Sequence, residues 1–173
     1  SLQGVTKTGR THLMDAMPID FSDELLAWSS QLSACRNILE VIEERFLELP
    51  QGGTAVGSGI NAHKQFAKFF AQEMSKIFET KRKSIPSTNF FHELSAQDCS
   101  VQLSGELKNL AVILMKISND LRWMNSGPLA GLSEIELQAL QPGSSIMPGK
   151  VNPVIPEAVT MVSADVIGND TSI

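Results

Sequence analysis

The chain has 173 residues, of which 42% are hydrophobic and 19% are charged, which is enough apolar material for one domain with a sizeable core. These fractions exclude an intrinsically disordered chain and a collagen-like one. Asp and Glu number 19 against 14 for Lys and Arg, so the net charge of −5 argues against non-specific binding to nucleic acid. The sequence contains no apolar run of about 18 residues, so it predicts no membrane partner either.

A long amphipathic helix is the first predicted element. From Leu25 to Leu49 the apolar residues recur in alternating steps of three and four, which is a heptad pattern. Ser22 is the predicted N-cap of this helix, and Pro50 with the glycines after it marks the end. Such a pattern is typical of a helix that packs in a bundle or a coiled coil.

Two further helices are predicted downstream. A shorter amphipathic stretch, residues 63–79, carries phenylalanines on one face, and a second long seam runs over residues 103–124. Helices of this length usually pack together in a bundle. We therefore predict an all-α, long-helix bundle, with one domain over residues 1–173 and association of copies through the bundle.

Glycine, proline, serine and asparagine are concentrated at residues 51–62 and 127–156, which predicts loops on a helical scaffold. Residues 57–62 fit the GxGxxA pattern of dinucleotide loops, but no βαβ unit surrounds them. Residues 143–150 resemble a Walker A loop, but they have one residue too many between the glycines and Val151 in place of Ser or Thr. Neither segment predicts a nucleotide-binding site.

Three sequence blocks resemble those of a known superfamily. The run GSSIMPGKVNP at residues 143–153 resembles the GSSxMPxKxNP signature of the fumarase/aspartase superfamily, and GRTHLMDAMP at residues 9–18 resembles its GRTHxxDAxP block. GTAVGSGIN at residues 53–61 is similar to its GGTAVGTGLN segment. Aspartases tend to have Gln at the place of His12, and argininosuccinate and adenylosuccinate lyases tend to have Arg at the place of Val151. Both positions favour class II fumarate hydratases.

This resemblance implies the central helical-bundle domain of these enzymes and the reversible addition of water to fumarate, giving L-malate without a metal or another cofactor. It implies that Ser144 is the base that removes a carbon-bound proton. It also implies that His12, supported by Glu157, handles the proton on the hydroxyl side. The residues that it assigns to binding of the dicarboxylate substrate are Thr11, Lys150 and Asn152.

The residue types suit these roles. A serine hydroxyl ionises far above neutral pH, and an ammonium 4 Å away contributes only about 4 kcal/mol at an effective dielectric constant near 20. An alkoxide on Ser144 therefore also needs N–H donors and the exclusion of water. Lys150 and Asn152 offer one charge and one neutral donor on the same face of an extended segment. A carboxylate such as Glu157 holds one tautomer of His12 and raises its basicity.

The resemblance further implies a homotetramer whose active sites combine segments from different subunits, with the His12 and Ser144 blocks contributed by different copies. An upstream segment resembling SGTQSNMN, which completes the pocket in the family, does not occur in the sequence. We therefore expect a central fragment that is inactive by itself. Two alternatives stay open, an aspartate ammonia-lyase and a non-catalytic helical assembly module. Two distant cysteines suit a reducing compartment, the cytoplasm or alternatively the mitochondrial matrix.

Overall fold

The fold is mainly helical and includes two small β-ladders, as seen in a computed structural model that describes residues 2–79 and 82–173. The elements in chain order are β1 (Thr6–Thr11), β2 (Met14–Asp20), α1 (Phe21–Phe46), β3 (Glu48–Leu49), α2 (Phe66–Ile77), β4 (Ile85–Pro86), α3 (Phe90–Ser95), α4 (Asp98–Met124) and α5 (Val154–Ser172). β1 and β2 form an antiparallel hairpin, while β3 and β4 pair in parallel. No helix in the described ranges is long and apolar enough to cross a membrane.

The chain divides into two compact units. One unit comprises Ser1–Cys35 with Leu107–Ile173, and the other comprises Arg36–Glu106. The β1–β2 hairpin and α5 belong to the first unit, and every residue of the predicted site lies there too. The extent of a single bundle domain over residues 1–173 stays a prediction.

The long helices follow the predicted heptad spacing, but they bury different kinds of residue. The buried positions of α1 recur every seven residues: Trp28, Cys35 and Ile42. Those in the body of α4 have the same spacing but small side chains: Ser104, Ala111 and Ser118. The predicted leucine seam of α4 is mostly half-buried, and Leu107 is exposed. Small side chains allow close packing, so the deepest face of α4 is one that hydrophobicity does not indicate.

The helix α1 begins earlier than predicted, at Phe21. The Asp20 carboxylate caps it, because Oδ1 of Asp20 accepts hydrogen bonds from the Ser22 backbone N–H at 2.8 Å and from the Ser22 hydroxyl at 2.6 Å. The prediction of Ser22 as the N-cap is therefore wrong. The second carboxylate oxygen of Asp20 accepts the Gly4 N–H at 2.7 Å, which ties the residues before β1 to the start of the helix.

Polar contacts connect the helices within each unit. In the first unit the Lys116 ammonium of α4 lies 5.6 Å from the centre of the Trp28 ring of α1. Lys108 of α4 pairs with Asp170 near the end of α5. In the second unit Arg45 of α1 donates to the Asp98 carboxylate of α4 at 2.7 Å. The charged faces of the helices thus hold neighbouring elements together beside the apolar seam.

The predicted loops are confirmed as segments without helix. Residues 51–62 and 127–153 contain neither a helix nor a named strand. α5 begins at Val154, slightly before the predicted end of the second loop, so Glu157 lies in its first turn as predicted. A negative side chain in the first turn interacts favourably with the helix dipole.

Candidate active site

His12 lies at the tip of the β1–β2 hairpin. Thr11 pairs with Met14 across the ladder, so His12 and Leu13 form a two-residue turn. Both turn residues have positive φ angles, 54° and 61°, as in a type I′ turn, a geometry that favours Asn and Gly. Non-glycine residues seldom hold this conformation, so the chain stores backbone strain at the predicted proton-handling residue. The hairpin was not predicted, because the turn lacks an Asn-Gly or Asp-Gly signal.

A bulge in β2 interrupts the regular pairing of the hairpin. The register shifts between Thr8 and Arg10, on either side of Gly9. A Cβ atom at Gly9 would lie 2.8 Å from the Met17 carbonyl oxygen, so no larger residue fits there without a shift of the backbone. The extra residue lies in β2, where Ala16 and Met17 are opposite the single residue Gly9. In β1, Lys7 and Arg10 meet the same partner although they are three residues apart.

That partner is Glu134, the centre of a partly buried charge cluster: Lys7, Arg10, Glu24 and Glu134. Arg10 Nη2 lies 2.9 Å from Glu134 Oε1, and Lys7 Nζ lies 3.5 Å from Glu134 Oε2. Lys7 also pairs with Glu24 of α1. The four side chains are only 11 to 21% exposed. The cluster was missed because its members come from distant parts of the chain and no spacing links them.

The pair of Arg10 and Glu134 is arranged to stay ionised. Burial raises the pKa of the Glu134 carboxyl, but the hydrogen bond from Arg10 and the charges of Lys7 and Arg10 outweigh burial and leave the pKa below its ordinary value. The same hydrogen bond raises the pKa of the Arg10 guanidinium. Both shifts favour the charged forms, so the pair is ionised at neutral pH.

A first cleft, of about 610 Å³, opens between the hairpin and the C-terminal half of α4. His12 lines this cleft together with Leu13 and Trp123. Its charged lining residues are of both signs: Lys7, Arg10, Lys116, Asp23, Glu24 and Asp120. Because the charges are mixed, this cleft has no excess positive field for a dianionic ligand.

A second cleft, of about 490 Å³, lies where α4 ends and α5 begins. Glu157 lines it, and Trp123 lines both clefts. Arg122 also lines the second cleft, and its Nη1 atom donates to Asn119 Oδ1 at 3.1 Å. Arg122 and Asn119 were not predicted as site residues.

The segment 142–152, called the Ser144 loop below, is closed by bonds among its own residues. Pro142 and Val151 form an isolated antiparallel bridge, and the Gly143 N–H donates to the Lys150 carbonyl oxygen at 2.7 Å. The Asn152 side-chain amide donates to the Gly143 carbonyl oxygen at 3.3 Å. The loop therefore has a defined local shape even though most of its side chains are exposed.

Ser144 is half-buried within this loop, and Lys150 is exposed. The Ile146 backbone N–H donates to the Ser144 hydroxyl oxygen at 3.2 Å. A donor directed at this oxygen stabilises negative charge on it, so it favours an alkoxide relative to a serine without such a donor.

The predicted residues occupy separate places in the chain. His12 lines the first cleft and Glu157 the second, and no hydrogen bond joins them within the part of the chain that the structure describes. Thr11 adjoins His12, whereas Ser144, Lys150 and Asn152 lie in the loop before α5. The pairing of Glu157 with His12 therefore stays a prediction. Residues 2–79 and 82–173 contain no cluster of His, Cys, Asp or Glu that could hold a metal ion.

A protein-family model described as a lyase matches residues 2–168, so the chain is a member of that family. Fumarate hydratase class II 2 of Pseudomonas aeruginosa is 59% identical over 167 residues, which cover 96% of this chain and 36% of the relative. Fumarate hydratase class II of Xylella fastidiosa is 56% identical over 172 residues, covering 99% of this chain and 36% of the relative.

Solved structures show the same likeness. The recombinant class II fumarase of Schistosoma mansoni superposes with a TM-score of 0.90 at 37% identity, covering 96% of this chain and 38% of that one. The fumarate lyase:delta crystallin of Brucella melitensis bound to cobalt has a TM-score of 0.87 at 46% identity, covering 97% of this chain and 36% of that one. The predicted helical fold and the family resemblance are confirmed. The chain spans little more than a third of the length of these relatives.

Proposed function

We propose that this chain forms the central part of a fumarate hydratase, which adds water reversibly to fumarate and gives L-malate. The observation that carries the proposal is the 59% identity, over 96% of the chain, to a relative named fumarate hydratase class II 2. The substrate is accordingly a dicarboxylate. We also propose a cytoplasmic location, because the two curated relatives described above come from bacteria, which have no mitochondrial matrix.

In the direction from malate, Ser144 acts as the base. Its alkoxide removes a proton from the carbon next to one carboxylate, and the electron pair moves into that carboxylate to form a dianionic aci-carboxylate. The Ile146 N–H bond to the Ser144 oxygen supports this role. The Lys150 ammonium and the Asn152 amide bind the carboxylate whose charge increases, so they stabilise the intermediate more than the substrate.

The hydroxyl group then leaves with a proton. His12 supplies that proton as a general acid, and the Glu157 carboxylate holds the imidazole in the required tautomer. Thr11, the neighbour of His12 on β1, donates a further hydrogen bond to the substrate. In hydration the same groups act in reverse: His12 takes a proton from water, and Ser144 returns one to carbon.

We propose that copies of the chain assemble into a homotetramer through the long helices, which brings His12 of one copy to Glu157 of another. Exposed apolar side chains on the long helices support this assembly. Apolar side chains are more than half exposed on all three long helices: Leu26, Val41, Val112, Met161 and Val162. Exposed apolar surface of this extent is typical of association.

The experiment replaces the aligned segment of the Pseudomonas relative by the 167 matching residues of this chain. We expect this chimera to interconvert L-malate and fumarate, followed by the ultraviolet absorbance of fumarate, and to leave L-aspartate unchanged. Turnover of L-aspartate without turnover of malate would instead indicate an aspartate ammonia-lyase. A folded chimera with neither activity would indicate a helical assembly module. Native mass spectrometry of the chimera and of the 173-residue chain measures the number of copies, and a monomer would contradict the proposed assembly.

A further inference from the structure

The segment after α4 is held firmly against the end of that helix. The Glu134 and Ile135 N–H groups both donate to the Met124 carbonyl oxygen, at 2.8 and 3.3 Å. A Cβ atom at Gly131 would lie 2.2 Å from the carbonyl carbon of Ser126, so the backbone turns back there at a distance that only glycine allows. The backbone of Glu134 is thereby fixed to the C-terminal end of α4.

The beginning of the same segment forms one wall of the second cleft: Asn125, Ser126 and Gly127. Oδ1 of Asn125 accepts the Leu137 N–H at 2.8 Å, so this wall is tied to the residues just after Glu134. The Glu134 side chain in turn reaches Lys7 and Arg10 on β1. One side chain thus connects the strand that carries His12 with the wall of the cleft that contains Glu157.

We propose that Glu134 is a positioning residue, which holds the His12 hairpin in place relative to the wall of the Glu157 cleft. Arg10 has a second acidic neighbour, Asp15, which pairs with it across the ladder. Arg10 Nε lies 4.0 Å from Asp15 Oδ1, and the Asp15 side chain is 85% exposed. When the Glu134 charge is removed, Arg10 turns toward Asp15 and the hairpin loses its ion pairs with Glu134, while the contact of Lys7 Nζ with Met124 Sδ at the end of α4, at 3.4 Å, remains.

The cluster has enough acids for the chain to fold without the Glu134 charge. Lys7 retains Glu24 of α1 as a partner, and Arg10 retains Asp15. The Glu134 Oε2 atom is buried, and its contact with Lys7 at 3.5 Å is a charge contact rather than a well-formed hydrogen bond. An amide at this position therefore leaves no buried cation unpaired.

The matched variants are Glu134→Gln, which keeps the shape of the side chain, and Glu136→Gln, which removes an exposed charge two residues further on. In the 173-residue chain, we expect Glu134→Gln to speed amide hydrogen exchange of residues 6–20 about 10-fold, with exchange in α5 unchanged. Glu136→Gln leaves both segments unchanged. Hairpin exchange within 2-fold of the unaltered chain would overturn the proposal. Equally faster amide exchange in all helices and strands would also overturn it, because that result indicates that Glu134 only stabilises the fold as a whole.

The positioning role rests on the proposed function insofar as His12 handles a proton, and the chimera tests that part. A displaced acid weakens transition-state stabilisation rather than substrate binding, so we expect Glu134→Gln to lower kcat about 10-fold and to change KM less than 2-fold. We expect the double variant Arg10→Met with Glu134→Gln to lower kcat no more than the more damaging of the two single variants does, because both remove the same interaction. An unchanged kcat would reject the role in catalysis. A chimera inactive before substitution would reject the fumarate hydratase proposal instead, and the exchange measurement still decides the structural connection.

Discussion

The β1–β2 hairpin and the Ser144 loop carry the two halves of the proposed chemistry, but different interactions hold them. The hairpin is connected to α1 and to the end of α4 through a partly buried ion cluster. The bonds that shape the Ser144 loop run between its own residues, and most of its side chains are exposed. A strained turn such as that at His12 needs anchors elsewhere in the fold, whereas the bonds within the Ser144 loop maintain its local shape by themselves.

The largest expected effect is on the chemistry of the loop. In the chimera, Ser144→Ala removes the proposed base, and we expect fumarate hydration to fall by about 10²- to 10⁴-fold, the usual contribution of a general base. Ser145→Ala, which removes the adjacent exposed hydroxyl, is the matched control and costs less than about 10-fold. Steady-state kinetics on both variants measure this. Equal losses would show that the loop needs two hydroxyls and not one base.

A second prediction compares glycines in the two regions. Gly9→Ala places a methyl group 2.8 Å from the Met17 carbonyl oxygen inside the anchored ladder, so we expect a loss of about 1–3 kcal/mol of global stability. For a chain of this size, each kcal/mol lowers Tm by about 2–4 °C.

Gly143→Ala is the matched variant in the Ser144 loop, where the methyl group would lie 2.5 Å from Asn152 Oδ1. We expect its effect on Tm to be below about 2 °C, because the bonds it disturbs join residues of the loop to one another. Calorimetry measures the Tm of both variants. A larger fall in Tm for Gly143→Ala than for Gly9→Ala would refute the difference in anchoring.

Trypsin tests the same difference without a substitution. Lys150 is exposed in the Ser144 loop, whereas the Arg10 side chain is 19% exposed and paired within a ladder. We expect cleavage after Lys150 to be at least about 10-fold faster than cleavage after Arg10, because a protease needs a locally open backbone. Mass spectrometry of early digestion products measures the ratio. Equal rates would mean that the hairpin opens as readily as the loop.

The smallest expected effect concerns pH and the junction between the hairpin and α1. The hydroxyl of Ser22 first, and then the N–H groups of Ser22 and Gly4, hold the pKa of Asp20 below its ordinary value. The stability from this carboxylate is therefore present above the unfolded pKa, about 3.9, and is lost as pH falls through the lower folded pKa. We expect Asp20→Asn to lower Tm slightly at pH 7 and not at pH 2. Asp23→Asn is the control in the first turn of α1, and an equal shift at both pH values would contradict this origin.

Much of the fold was predictable, because helix periodicity is a local property of the chain. The heptad spacing of residues 25–49 predicted α1, and that of residues 103–124 predicted α4. The hairpin was missed for two physical reasons. Its turn, His12 and Leu13, lacks an Asn-Gly or Asp-Gly pair, and the bulge in β2, opposite Gly9, interrupts the alternation that marks a strand.

The candidate site was predictable only in part. Ser144, Lys150 and Asn152 lie in one contiguous motif, so the sequence alone placed them on one loop. His12 and Glu157 line different clefts, so the support of His12 by Glu157 stays a prediction. Arg122 and Asn119 were not proposed as site residues, since a polar stretch at the end of a helix does not reveal that it lines a cleft.

The sequence by itself determined the long helices, the loops between them and the family, since each depends on residues that are near one another along the chain. Only the tertiary structure decided that Glu134 meets Lys7 and Arg10, and that His12 and Glu157 line different clefts. The energy of an ion pair depends on distance and burial in space. No local pattern encodes either quantity for residues at opposite ends of a chain.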